Sequence, residues 1–159
     1  MSECSHNMIK GRVAETIIQE LFVSNYYHVF NYGMERTLPG ILSTIQMSSD
    51  EVSSAIRSQP DFVIQDRTSG ELMYVEVKYR TSGCFSIDDL ADNFPYKNAH
   101  FVVVSPDRIQ AIHYQELIKG FSLRSGKNRD IMKYPFFKLS QKSVNQYKEY
   151  IQEFFGTTR

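Results

Sequence analysis

Disulfide frameworks and zinc centres have little to build on in this chain. Its 159 residues include only two cysteines, Cys4 and Cys84, far apart and in no CxxC pattern, so free thiols in a reducing compartment are expected. The four histidines, His6, His28, His100 and His113, are equally scattered, and no Cys/His spacing suits a zinc site. No run approaches the roughly 20 apolar residues of a membrane helix. The N-terminal stretch MSECSHNMIKG has no apolar signal core. A cytoplasmic protein without membrane attachment is therefore expected. Internal repeats and low-complexity tracts are also missing.

Net charge is the next absence. Eighteen basic residues cancel eighteen acidic ones, which argues against a strong nucleic-acid binder if the sum alone is counted. The distribution is uneven, however. From Lys119 to Lys148, eight basic residues stand against the single acid Asp130, whereas ten acids oppose five bases between Glu35 and Asp92. A polarised molecule follows, with an acidic centre and a basic C-terminal third that either contacts phosphates or merely solvates a surface. At 42% hydrophobic and 23% charged residues the composition is that of one globular domain spanning 1–159.

The most informative stretch is the pair Pro60–Asp66 (PDFVIQD) and Glu71–Arg80 (ELMYVEVKYR), linked by Arg67-Thr68-Ser69-Gly70. Both flanks alternate apolar and polar residues, which predicts an antiparallel hairpin. Folded symmetrically, Asp66 faces Glu71 and Asp61 faces Glu76, with Cβ atoms roughly 5 Å apart. Lys78 follows two residues later on the same face. Like charges set opposite each other destabilise a sheet and raise one carboxylate's pKa unless a cation intervenes, so a divalent ion is the natural resolution. Phe62, Ile64, Met73, Val75, Val77 and Tyr79 make the other face apolar and buried, which leaves the acidic side expected to open toward solvent or substrate.

Around the hairpin, Lys10–Phe22 (KGRVAETIIQELF) predicts a helix with Val13, Ala14, Ile17, Ile18 and Leu21 in one stripe and Glu15 at its edge. Tyr26–Tyr32 predicts the first strand. Residues 34–59 form an insertion, within which Ser48–Gln59 has helical spacing and a serine cap. Ser86–Phe94 predicts a short capped helix, and His100–Pro106 a buried central strand. Arg108–Tyr114 adds a strand before a helical turn. Gln141–Phe155 predicts a closing helix with Val144, Tyr147, Ile151 and Phe154 on one stripe, ending at Gly156. The fold class expected is α/β, with a mixed sheet flanked by helices.

The order Pro60-Asp61, fourteen intervening residues, then Glu76-Val77-Lys78 resembles the PD-(D/E)XK nuclease superfamily, which includes many restriction enzymes and the archaeal Holliday junction resolvases. The resemblance covers about residues 10–22 and 60–105. It implies a restriction endonuclease-like core in which Asp61 and Glu76 hold Mg²⁺, with Mn²⁺ able to substitute. It further implies that Lys78 activates or orients the attacking water, and that Glu15 on the first helix completes the metal or water shell. Gln146-x-x-x-Tyr150 matches the QxxxY pattern of some exonuclease branches but lies too far beyond Lys78 to join the site.

Strand geometry adds the Val77 carbonyl as a third metal ligand and Arg80 as a phosphate contact. The loop-like segment Arg124–Arg129 offers Arg124, Lys127 and Arg129 as further phosphate contacts. Glu35 and Asp50 read better as a solvated carboxylate and a helix cap than as members of the acidic cluster. The expected activity is metal-dependent hydrolysis of DNA, with RNA kept open as a substrate and with a homodimer or a targeting protein as partner. Two rivals stand beside it. One is a catalytically inactive nuclease-fold module that binds nucleic acid or a protein, and the other a small interaction protein whose hairpin charges are an exposed pattern.

Overall fold

The computed structural model describes residues 2–32, 52, 58–124 and 129–156. The first helix, α1, spans Glu3–Ser24, with Ser2 capping it through Oγ to the Ser5 N–H. It begins earlier than its apolar stripe because the polar first turns lie in solvent. Ala14, Ile17, Ile18, Leu21 and Phe22 are its buried face. The Asn25 side chain donates to the Leu21 carbonyl at 2.8 Å and closes the helix. Tyr26 then takes a left-handed turn, φ 66°, and the chain enters β1, Tyr27–Asn31.

Among the described residues four further strands follow: β2 Phe62–Asp66, β3 Leu72–Tyr79, β4 His100–Ser105 and β5 Arg108–His113. They form one sheet in the order β1-β2-β3-β4-β5, antiparallel throughout except for the parallel pair β3–β4. All six residues of β4 are buried, as a continuous apolar run requires. Among the described residues, three shorter helical pieces and a long one accompany the sheet: 3₁₀ turns at Ile87–Asp89 and Ile131–Lys133, α2 at Tyr114–Ile118, and α3 at Gln141–Phe155. The α/β class and mixed sheet expected from the sequence are those observed. Most of the 34–59 insertion, including Glu35, Asp50 and the helix expected over 48–59, lies outside the described residues.

Two apolar clusters sandwich the sheet. The first joins α1 and α3 to Phe62, Ile64, Val75, Val77, Val102 and Val104. The second covers the opposite face with Phe85, Phe94, Phe101, Val103, Ile112, Leu117 and Leu123. That second layer alters one expectation. The acidic side of the hairpin does not simply open to solvent, because aromatic side chains from the β3–β4 connection pack beside it. The connection contains only a 3₁₀ turn where a short helix was expected, although Ser86 and Asp89 do form the predicted reciprocal cap. On α3, Val144 and Ile151 are buried and Phe155 packs on the core, while Phe154 is 64% exposed. The stripe therefore runs through Phe155 in place of Phe154.

Candidate metal and phosphodiester site

The site arises where β2 stops and β3 continues. Observed pairs Phe62↔Val75, Val63↔Tyr74, Ile64↔Met73 and Gln65↔Leu72 carry the register in which Asp61 comes level with Glu76. At the turn, Asp66 N–H donates to Glu71 O at 3.0 Å, so residues 66, 64 and 62 and their partners point their polar groups at each other. The same alternation turns the Val77 N–H and carbonyl toward β2, which has by then ended. Asp61 fills part of that gap: its Oδ2 accepts the Val77 N–H at 2.7 Å. Its own carbonyl accepts the Tyr32 N–H at 3.1 Å, so β1 also fixes this corner.

Glu76 and Lys78 share the opposite face of β3 from Val75 and Val77. Lys78 Nζ lies 2.7 Å from Glu76 Oε1, and the Glu76 side chain is only 13% exposed. Its second oxygen, Oε2, is buried without a hydrogen bond of good geometry among the described residues, the Asp61 N–H being near enough only to lower the carboxyl's pKa. Leaving a buried carboxylate oxygen unmatched costs on the order of 1–3 kcal/mol or more, so this atom asks for a ligand. Electrostatics point the same way. Burial, then Glu76, then Glu15 push the Asp61 carboxyl well above its ordinary pKa. Burial also raises Glu76, against the pull of the Lys78 ammonium. Lys78 is disfavoured as a cation by its own burial, but Glu76 outweighs this and holds its pKa above the ordinary value.

The donor set suits a hard divalent cation, since Mg²⁺ takes oxygen ligands and keeps several waters. Among the described residues, no group of three or more His, Cys, Asp or Glu side chains is gathered closely enough to hold an ion. The oxygen donors this corner presents are the Asp61 and Glu76 carboxylates and the Val77 carbonyl. Asp61, Glu76, Lys78 and the Val77 main chain come together. Glu15 approaches from α1 closely enough for its charge to be felt at Asp61. Arg80 is near enough to Lys78 to oppose its charge, and its guanidinium lies 5.9 Å from the centre of the Phe85 ring.

The other expected phosphate contacts lie elsewhere. Arg129 bonds Glu116 at 2.6 Å beyond β5 and covers the Phe121 ring. Arg124 is exposed, its Nε donating to Ser122 Oγ at 2.7 Å. Lys127 lies outside the described residues. Of the basic C-terminal third, Lys138 and Lys148 are also taken up, by Asp66 and Asp130. Gln146 and Tyr150 bond each other on α3. Sequence reasoning missed the tyrosines beside the site: Tyr74, two residues before Glu76, packs against Tyr32 and Tyr96 with ring centres 5.3 Å away in each case. The period-two alternation of β3 is the signal that could have found Tyr74.

No protein-family model matches the chain, and no curated protein does. Among solved structures it is similar to Hjc, a Holliday junction resolvase from the archaeal hyperthermophile Archaeoglobus fulgidus. The two share 14% sequence identity over 86% of this chain and 98% of that one, with a TM-score of 0.42. No residue role is taken from that likeness.

Proposed function

We propose that the chain is a metal-dependent nuclease that hydrolyses phosphodiester bonds of DNA at a PD-(D/E)XK-type site. The observation that carries this reading is the half-buried corner where Asp61 accepts the Val77 N–H, next to a Glu76 oxygen without a well-formed hydrogen bond among the described residues. Asp61 and Glu76, with the Val77 carbonyl, would hold Mg²⁺ or Mn²⁺, which supplies charge neutralisation at the phosphoryl group. Lys78 is the fixed cation beside them. Its ammonium donates to Glu76 and has protons to spare, so it orients a water or bonds a phosphoryl oxygen while remaining charged. Glu15, on the helix edge, accepts a hydrogen bond from a water near Asp61. Arg80 contacts a neighbouring phosphate.

Hydrolysis by this set forms a bond from water oxygen to phosphorus and breaks the bond to the leaving oxygen, which takes up a proton. The corner excludes bulk water on the side of the aromatic layer, which strengthens each charge contact. Selectivity among DNA forms falls to the 34–59 insertion, the basic C-terminal third, a second copy of the chain or a targeting protein, with action in the cytoplasm. Neutral net charge favours one alternative, a nuclease-fold module that binds nucleic acid or protein without cutting. The two separate on incubation of linear, branched and single-stranded DNA with Mn²⁺. The wild type should cut, and Lys78→Ala should cut about 10²–10³-fold more slowly. Equal cleavage by both proteins would place the activity at another centre, and no cleavage by either would favour the module.

A further inference from the structure

A line of polar residues crosses the sheet on the same face as Glu76 and Lys78. Tyr79 pairs with Val104, and Ser105 with Arg108, so Arg80, just past β3, stands level with Ser105 and Arg108. The Arg80 N–H donates to the Val104 carbonyl at 2.9 Å, consistent with that register. One pleat nearer the site, Lys78 lies level with Val103 and Gln110. Val103 and Ile112 belong to the second apolar cluster, which fixes the face to which Ser105, Arg108 and Gln110 also point.

Arg108 is held in a definite place on this face. The turn after β3 closes with Gly83 N–H donating to Arg80 O at 3.0 Å, and Gly83 sits at φ +71°. A Cβ at Gly83 would come within 3.1 Å of Gln110 Nε2 and 3.2 Å of Arg108 Nε. Gln110 Nε2 donates to the Gly83 carbonyl at 3.0 Å. The inner part of the Arg108 side chain is thus pinned between turn and sheet, with Nε enclosed and lacking a hydrogen bond. The one carboxylate paired with it among the described residues, Asp107 Oδ1, stands 3.5 Å from Nε on a side chain that is 70% exposed, a pairing worth little. Asp107 also accepts from Ser105 Oγ at 3.1 Å. Arg80 has no ion-pair partner among the described residues.

Two weakly compensated guanidinium groups therefore share one face, about 10 Å apart at their backbones, the width of two strand spacings. Guanidinium forks match phosphate oxygens, and a side chain already immobilised loses less entropy on binding. We propose that Arg108 is a second phosphate-binding residue, gripping the nucleic-acid backbone beyond Arg80. The inference rests on the nuclease reading of the site and adds Arg108 to Arg80, which the sequence named as a phosphate contact beside Arg124, Lys127 and Arg129.

The test is binding of a short fluorescein-labelled DNA duplex, with Ca²⁺ replacing Mg²⁺, followed by anisotropy across a range of salt concentrations. Each phosphate contact contributes about 0.9 to the slope of log K against log salt. Arg108→Gln should make the slope shallower by about that amount, and Arg108→Lys should restore it. If the wild type binds and Arg108→Gln keeps its slope, the inference is overturned while the nuclease reading stands, since that is judged separately by Lys78→Ala cleavage. A slope lost in both variants together with a lowered melting temperature would mark Arg108 as packing only, and also overturn it. A wild type that binds no duplex overturns the inference, and the nuclease reading is then decided by the cleavage assay alone.

Discussion

Asp61 and His100 are two residues whose surroundings strongly disfavour their charged forms. Asp61 is an anion held near two others, accepting one main-chain N–H. Asp61→Asn keeps an oxygen for the Val77 N–H and removes the repulsion. It should raise the melting temperature measured without divalent metal and lower Mn²⁺-dependent cleavage by at least about 100-fold. A variant that melted lower and still cut would separate Asp61 from the site. His100 is a different case. Its Nδ1 lies 2.6 Å from the Tyr134 hydroxyl, and burial, then the neighbouring His113, lower its pKa to about 3. The folded state therefore stays neutral where the unfolded state, near the ordinary 6.5, takes up a proton. Stability should fall as pH drops from about 6.5 toward about 3. His100→Gln should show a shallower fall over that window in urea titrations at stepped pH.

At the scale of the element, the β2–β3 hairpin owes its turn to Asp66. Asp66 Oδ1 accepts the Thr68 and Ser69 N–H groups, and Oδ2 takes Lys138 Nζ at 2.9 Å, tying the hairpin to the segment before α3. The Lys138 bond first, then the Thr68 N–H, lower its pKa to about 2. This contribution is present above the unfolded carboxylate's ordinary value near 4 and is lost as pH falls toward about 2. Asp66→Asn should remove that part of the acid transition, seen as a flatter stability profile over this range, and an unchanged profile would contradict the assignment.

The hairpin was also the element most legible in the sequence. Strict alternation allows a single register that buries Phe62, Ile64, Met73 and Val75 together, because a one-residue slip exposes them all. The β4 strand and α3 were legible for similar reasons. The layer over the acidic face was not, since Phe85, Phe94 and Leu123 come from irregular segments with no period to read. The Lys138–Asp66 and Arg129–Glu116 pairs escaped likewise, because pairing across 72 and 13 residues depends on tertiary placement.

Over the whole molecule, the order β1-β2-β3-β4-β5 sets β3 at the centre with its polar face reading Tyr74, Glu76, Lys78, Arg80. Beyond β2's end the main chain of this strand is met by side chains in place of a neighbouring strand, the Val77 N–H by Asp61 and the Tyr79 carbonyl by the Arg80 guanidinium. The polarity seen in the sequence, acids in the middle and bases after Lys119, is partly cancelled in space, because three of those bases are neutralised by Glu116, Asp66 and Asp130. With those bases held in internal pairs, the proposed phosphate contacts are Arg80, expected from the sequence, and Arg108. For the proposed nuclease the first requirement is a divalent ion held beside Asp61 and Glu76. Calorimetric titration of Mn²⁺ into the wild type and into an Asp61→Asn, Glu76→Gln double variant measures it directly. Saturable uptake of Mn²⁺ by the wild type at millimolar ion, absent from the folded double variant, is expected. A wild type that takes up none, or a double variant that binds as well, would contradict the assignment of these two carboxylates to a metal.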